Sequence, residues 1–193
     1  MIDVPPIWRV LQAPCTDDGG GGRIDLFVPP GAGFGTGDHE TSQLCLQAIH
    51  WLRPAGARSW RLLDFGSGSG ILSIAAARLG ASVEAVEIDP LAIEHGRHNA
   101  GLNLVEDRIR HSRTLAEVSG RFDLVVANIL CDVLLEAAED LTSRVVANGA
   151  LALSGLVATD VPRIIARYAP LLAQRRPTVY ERGAWRLLSW KVA

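Results

Sequence analysis

From residue 61 onward, short apolar runs alternate with stretches of helical spacing. The runs at 61–65, 83–88 and 122–127 predict strands, the last of them the strongest, and 108–111 predicts a weaker one. Between them, 70–79 and 90–100 carry helical periodicity. The first helix closes at Gly80, and the second opens with Asp89 as N-cap and Pro90 at the first helical position. A helix is expected over 133–146, stopped by Asn148 and Gly149, followed by a strand over 150–156 and a helix over 161–172. Segments 178–181 and 185–192 read as a closing pair of strands around Gly183, with Trp185 and Trp190 expected to cover the sheet. The early strands are apolar on both faces, which calls for a parallel sheet with helices on both sides. The predicted class is α/β, doubly wound and mostly parallel.

The first third reads differently. Pro5, Pro6 and Pro14 interrupt it, and four consecutive glycines stand at 19–22. That run predicts a flexible turn. Residues 23–28 alternate enough for a short strand ended by Pro29 and Pro30, and a hairpin with 8–11 across the glycine run is the expected arrangement. Residues 1–30 thus form an N-terminal extension too small for a substrate domain of its own, and 31–193 form one domain. Within that domain, 31–41 is a glycine-rich polar loop. Residues 42–52 have helical spacing, with Leu44, Cys45, Ile49 and Leu52 toward a core.

Composition narrows the function classes. A chain of 193 residues, 48% of them hydrophobic, suits one domain with a sizeable core. The net charge of -2 leaves no basic excess to grip a nucleic-acid backbone over a broad face, so direct nucleic-acid binding is not expected. No apolar run approaches the roughly 18 residues that span a bilayer. The start of the chain lacks the basic-then-apolar pattern of a secretory leader, so a cytoplasmic protein without membrane contact is expected. Cys15, Cys45 and Cys131 are far apart and form no CxxC, which predicts free thiols rather than a redox pair. His95 and His98 share a helix face, but no third ligand is evident. They read as a solvated pair, and no metal site is expected.

The chemistry is carried by three strand ends and one loop. The strand over 62–65 runs directly into Gly66-Ser67-Gly68-Ser69-Gly70 and then a helix. Glycines there permit a tight turn and close ligand approach, and a helix N-terminus leaves amide donors free. Glu87 follows Gly66 by 21 residues, at the expected end of the next strand. In a doubly wound sheet that place faces the ligand crevice, and a carboxylate there accepts hydrogen bonds from both hydroxyls of a ribose. The dinucleotide fingerprint is G-x-G-x-x-G, whereas this chain has G-x-G-x-G led by Asp64, which disfavours a nicotinamide enzyme. The pattern resembles motif I of the class I methyltransferases, which bind S-adenosylmethionine, and Glu87-Ile88-Asp89-Pro90 resembles their second motif. The strand over 122–127 ends in Asn128-Ile129-Leu130. The Asn128 side chain can accept a hydrogen bond from an amine through its oxygen, or cap the helix that follows.

The loop Gly33-Phe34-Gly35-Thr36-Gly37-Asp38-His39-Glu40-Thr41-Ser42, taken with Asn128-Ile129-Leu130, resembles the PrmA type of ribosomal-protein methyltransferase. The likeness runs from about residue 31 to the end of the chain. It implies a Rossmann-like, seven-stranded sheet with an antiparallel C-terminal strand. It also implies an S-adenosylmethionine-dependent N-methyltransferase acting on a protein lysine or amino terminus and releasing S-adenosylhomocysteine. The cofactor contacts it implies are Phe34, Gly35, Thr36, Ser42, Gly66, Ser67, Gly68, Glu87, Ile88 and Asn128, with Asn128 also the catalytic residue that orients the nitrogen. Ser42 matches a family threonine, and Glu87 stands where many relatives have Asp. His39 either positions the substrate or holds the loop. The family usually carries a separate N-terminal domain that docks protein eleven of the large ribosomal subunit, and only about 30 residues precede the loop here. A small-molecule amine acceptor, or a non-catalytic cofactor-binding module, is the alternative reading. The oligomeric state is not legible.

Overall fold

The computed structural model describes residues 1–13, 22–57 and 59–192. Most of the expected glycine turn and Cys15 lie outside these residues.

Seven strands form the main sheet: β4 (Trp60–Phe65), β5 (Ala81–Val86), β6 (Ile109–Ser112), β7 (Phe122–Asn128), β8 (Val145–Val157), β9 (Thr178–Arg182) and β10 (Trp185–Lys191), in the order β6-β5-β4-β7-β8-β10-β9. The first five run parallel, while β10 pairs antiparallel with both β8 and β9. The chain builds outward from β4 to β6, then crosses back to lay β7 on the other side of β4. This reversal leaves a crevice beyond the carboxyl ends of β4 and β7, where open α/β sheets take their ligands.

Two apolar layers close the sheet. One side of it, Leu62, Val83 and Leu124 among others, packs beneath α1 (Glu40–Leu52) and α2 (Ile71–Arg78), with Ala100 of α3 (Pro90–Leu102) at the margin. The other side, including Leu63, Val125 and Leu188, packs beneath α4 (Cys131–Glu136), α5 (Ala138–Ser143) and α6 (Val161–Tyr168). Tyr168 is fully buried there, stacks on Trp190 and donates its hydroxyl to the Leu134 carbonyl at 2.7 Å.

The N-terminal strands β1 (Ile2–Val4), β2 (Trp8–Leu11) and β3 (Ile24–Phe27) make a second, three-stranded sheet. The expected hairpin is corrected here: β3 runs parallel to β2, Trp8 opposite Ile24, and β2 takes its antiparallel partner from β1. Residues 12–23 supply the roughly dozen-residue connection that a parallel pair needs. Arg9 and Asp25 face each other in this register and form a two-point ion pair at 2.6 Å. The buried Trp8 indole donates to the Leu46 carbonyl of α1 at 2.8 Å and so ties this sheet to the main layer.

Other boundaries moved for local reasons. The helix expected over 133–146 is two short helices, and Val145 already belongs to β8, paired with Phe122. Asn148 sits at φ 64° inside that strand, where the register with β7 shifts. The last helix ends at Tyr168, and a 3-10 turn over Pro170–Leu172 follows. Pro170 has no N–H with which to continue the helical ladder.

Candidate active site

The glycine turn begins where β4 ends. Gly66 and Ser67 donate their amides to the Val86 carbonyl at 2.8 and 3.1 Å, joining the turn to the end of β5. Gly68 donates to Glu87 Oε2 at 3.0 Å, and Ser69 to the Phe34 carbonyl at 2.9 Å. These four amides, which precede the helix that follows the turn, are engaged within the chain. What the turn offers is a close crossing of two backbones. Gly68 has φ 52°, and a Cβ on it would stand 2.5 Å from the Phe34 oxygen.

β5 stops at Val86, so Glu87 lies just past the strand rather than in it. Its Oε1 accepts from the Asp89 amide at 3.1 Å while Oε2 holds Gly68. A carboxylate has about four acceptor positions, so each oxygen keeps capacity for a hydroxyl. Asp89 caps α3 by accepting from the Leu91 amide at 2.9 Å. Beneath the turn, Asp64 is fully buried and accepts a 2.7 Å bond from Ser73 Oγ. Burial pushes its carboxyl up to about 7, the Ser73 hydrogen bonds oppose that, and the Glu87 charge adds to it.

The polar loop crosses above. Gly35 accepts from Ser69 Oγ at 2.6 Å, and the Gln43 amide reaches back to the carbonyls of Gly37 and Asp38 at 3.1 Å. His39 is the N-cap of α1, with its ring accepting from the Thr41 amide. The same ring meets Phe34 and Trp185 edge-on, with centroids 5.4 and 4.8 Å apart. Holding the loop is thus the role its contacts express. Ser42 is fully buried in α1, and its Oγ has no hydrogen-bond partner among the described residues.

On the far side, Asn128 ends β7 opposite Ser154 of β8. The helix that follows is capped by Leu130 and not by Asn128, whose amide makes no side-chain hydrogen bond to a described residue. Gly155, at φ 84°, lets β8 pass so closely that a Cβ on it would lie 2.4 Å from the Ile129 oxygen.

These parts surround one cleft of about 520 Å³. Phe34, Gly35, Ser42 and Gly66 line it, as do Ser67, Gly68, Glu87 and Asn128. Two residues expected as cofactor contacts do not. Thr36 turns its hydroxyl to Asp38 at 2.7 Å in a shallow depression outside, and Ile88 stands 75% exposed beside Glu87. Conversely, Trp185 lines the cleft instead of only covering the sheet, and Gly155 and His39 join it. Gly155 left one signal in the sequence, an isolated glycine within a strand pattern, which often marks a close backbone approach. Trp185 left none that separates it from a packing residue. Among the described residues there is no cluster of three or more metal-ligating side chains, and no helix is long and apolar enough to cross a membrane.

Comparison with known proteins agrees with this geometry. The family described as ribosomal protein L11 methyltransferase (PrmA) matches residues 6–192. The chain belongs to the PrmA family. A PrmA relative from Dechloromonas aromatica, named ribosomal protein L11 methyltransferase, is 46% identical over 167 residues, which cover 86% of this chain and 52% of that protein. The crystal structure of ribosomal protein L11 methylase from Lactobacillus delbrueckii subsp. bulgaricus superposes with a TM-score of 0.79 at 33% identity, covering 89% of this chain and 88% of that one. A T. thermophilus 16S rRNA methyltransferase, in complex with AdoMet and guanosine, matches at TM-score 0.65 and 25% identity over 83% of this chain and 45% of its own. The chain spans about half the length of the curated PrmA relatives it matches.

Proposed function

We propose that this chain carries the methyl-transfer core of an S-adenosylmethionine-dependent protein N-methyltransferase, whose acceptor is an amine of ribosomal protein L11. One observation carries the reading: the glycine turn, the Glu87 carboxylate, the loop around Phe34 and the free Asn128 amide converge on a single cleft at the reversal point of the sheet. The residues present fit the cofactor. Gly66 and Gly68 line the cleft with backbone alone, Glu87 has acceptor capacity for two ribose hydroxyls, and the orphaned Ser42 Oγ is a buried polar atom on the cleft wall. Gly66, Gly68, Glu87 and Ser42 would hold it, with Phe34 and Gly35 covering it. When bound, S-adenosylmethionine supplies a sulfonium-activated methyl group and leaves as S-adenosylhomocysteine.

The protein's task is then alignment and desolvation. The acceptor nitrogen must be neutral to react, and a lysine amine in water titrates near 10.4. The apolar and aromatic wall of Phe34, Leu130 and Trp185 disfavours the ammonium form. Asn128 Oδ1 accepts from the amine N–H and directs its lone pair into the cleft. Phe34, 62% exposed at the tip of its loop, excludes water once it packs on bound cofactor. Action on a ribosomal protein sets the enzyme in the cytoplasm.

The test is incubation with radiolabelled S-adenosylmethionine and either purified L11 or a cell extract split into protein and small-molecule fractions. The expected result is label on L11. Label confined to the small-molecule fraction overturns the protein acceptor and keeps the chemistry. No label anywhere, with no calorimetric binding of S-adenosylhomocysteine, overturns both. The chain's own single lysine, Lys191, keeps self-labelling low.

A further inference from the structure

One polar cluster lies behind the cleft without lining it. The solvated His95–His98 pair expected from spacing does not form: His98 is exposed, but the His95 ring is half-buried between two loop segments. Its Nδ1 accepts from the Gly33 amide at 3.1 Å, and its Nε2 lies 3.2 Å from the Pro29 carbonyl. With Nδ1 bare and Nε2 protonated, one neutral tautomer satisfies both contacts, and Asn99 Nδ2, 3.2 Å from the same Nε2, is then a packing neighbour of the ring rather than its hydrogen-bond donor. One turn further along α3, fully buried Asn99 donates from Nδ2 to the Ser69 carbonyl at 2.9 Å. Residues four apart share a helix face, so His95 and Asn99 act from one side of α3. His95 thus grips residues 29–33, and Asn99 grips the glycine turn. The loop just beyond residue 33 is in turn joined to the glycine turn, by the Ser69 amide to the Phe34 carbonyl and the Ser69 hydroxyl to the Gly35 carbonyl.

The sterics are as specific as the hydrogen bonds. A Cβ on Gly31 would sit 2.2 Å from His95 Nε2, and one on Gly33 would sit 2.5 Å from the Ser69 amide. The helix reaches this depth because Gly96, next to His95, lies against Gly70: a Cβ on Gly70 would meet the Gly96 Cα at 3.3 Å.

We infer that His95, with Asn99, is a positioning residue: a latch from α3 that clamps the loop bearing Phe34 onto the glycine turn and pre-shapes the cofactor cleft without touching its contents. The inference rests on the cofactor reading above. It predicts an effect on cofactor affinity rather than on the transfer step, because neither residue reaches the reacting atoms.

The test compares His95→Ala, His95→Asn, His95→Gln and, as a control on the same helix, His98→Ala. An Asn at 95 places its Oδ1 near the Nδ1 position and can still accept from Gly33. A Gln places its amide near Nε2 and cannot. S-adenosylhomocysteine affinity is measured by calorimetry, cofactor KM and kcat by turnover, and amide hydrogen exchange over 31–35 in ligand-free protein. The latch predicts about 10-fold weaker binding for Ala and Gln, recovery to within about threefold for Asn, unchanged kcat at saturating cofactor, and faster exchange at Gly33 wherever affinity falls. Should His95→Ala not fold, the Asn against Gln pair still decides. Equal affinity in wild type and His95→Gln, or an Asn variant as weak as Gln, overturns the latch. Failure of the unmodified chain to bind S-adenosylhomocysteine overturns the cofactor reading instead, while the exchange comparison still judges the latch.

Discussion

Replacing Asp64 by Asn tests whether the acid beneath the glycine turn is neutral in the folded protein. Asp64 lies between β5 and β7, opposite Ala85 and Val126, with no exposed surface and with Oδ1 unpartnered among the described residues. Burial lifts its carboxyl from 3.8 to about 7. Its folded value thus exceeds its unfolded value, so between pH 4 and 7 the folded state binds the extra proton. Stability from this group is present below pH 4 and is lost as pH rises to 7, by at most about 1.4 kcal/mol per pH unit and about 4 kcal/mol in all. His111 acts oppositely. Burial, aided by Arg97, lowers it from 6.5 to about 4, so the unfolded state binds the extra proton and stability rises with pH over that interval. The two slopes offset each other in the wild type, and only a difference measurement separates them. Asn keeps an oxygen for Ser73 and removes the titration. Urea unfolding of both proteins from pH 4.5 to 8 should show the stability of Asp64→Asn relative to wild type climbing to pH 7 and then levelling. A difference that stays constant across this range means Asp64 ionises near its ordinary value and refutes the desolvation argument.

Three further outcomes follow from the site. Glu87→Ala should weaken S-adenosylhomocysteine binding by at least about 10-fold in calorimetry, since it removes a charged acceptor for ribose hydroxyls; unchanged affinity would end the ribose assignment. Asn128→Ala should lower kcat by about 100-fold, the scale on which misplacing a reacting group acts, with cofactor affinity changed far less. Wild-type turnover in that variant would remove Asn128 from the active site. Gly155→Ala should reduce stability in urea melts by about 1–3 kcal/mol and slow turnover together, because its Cβ would collide with the Ile129 carbonyl at 2.4 Å and push the Asn128 turn aside; a variant as stable and active as wild type would show that β8 relaxes freely.

The main sheet was legible because its signal is local. Leu62, Leu63, Val125 and Val126 are apolar on both sheet faces, and each run ends in a glycine or polar residue at the same edge. The errors fall where two local signals compete or where the partner is remote. Val145 and Val146 extend a helical pattern, yet their β-branched side chains suit a strand, and the pairing of Val145 with Phe122 decides the matter. Whether 24–27 pairs with 8–11 parallel or antiparallel is set by the path of the chain between them, and no window around either strand contains it. His95 and His98 look equivalent at spacing three. Only the path of residues 29–33 over α3 makes one structural and leaves the other in solvent.

The cleft itself is defined less by side chains that reach into it than by backbones that approach each other around it. Phe34 meets Gly68 on one side, and β8 meets the Asn128 turn at Gly155 on the other, each with no room for a Cβ. Both approaches bring together segments far apart in sequence, and the amides of the glycine turn are bonded to Val86, Glu87 and Phe34. Ligand affinity should respond to whatever keeps the crossing segments in register. That is why a substitution at Gly155, whose backbone forms part of the wall, and one at His95, which lines no part of it, are both expected to be felt in the cleft, while Thr36, inside the most recognisable stretch of the loop, faces away from it.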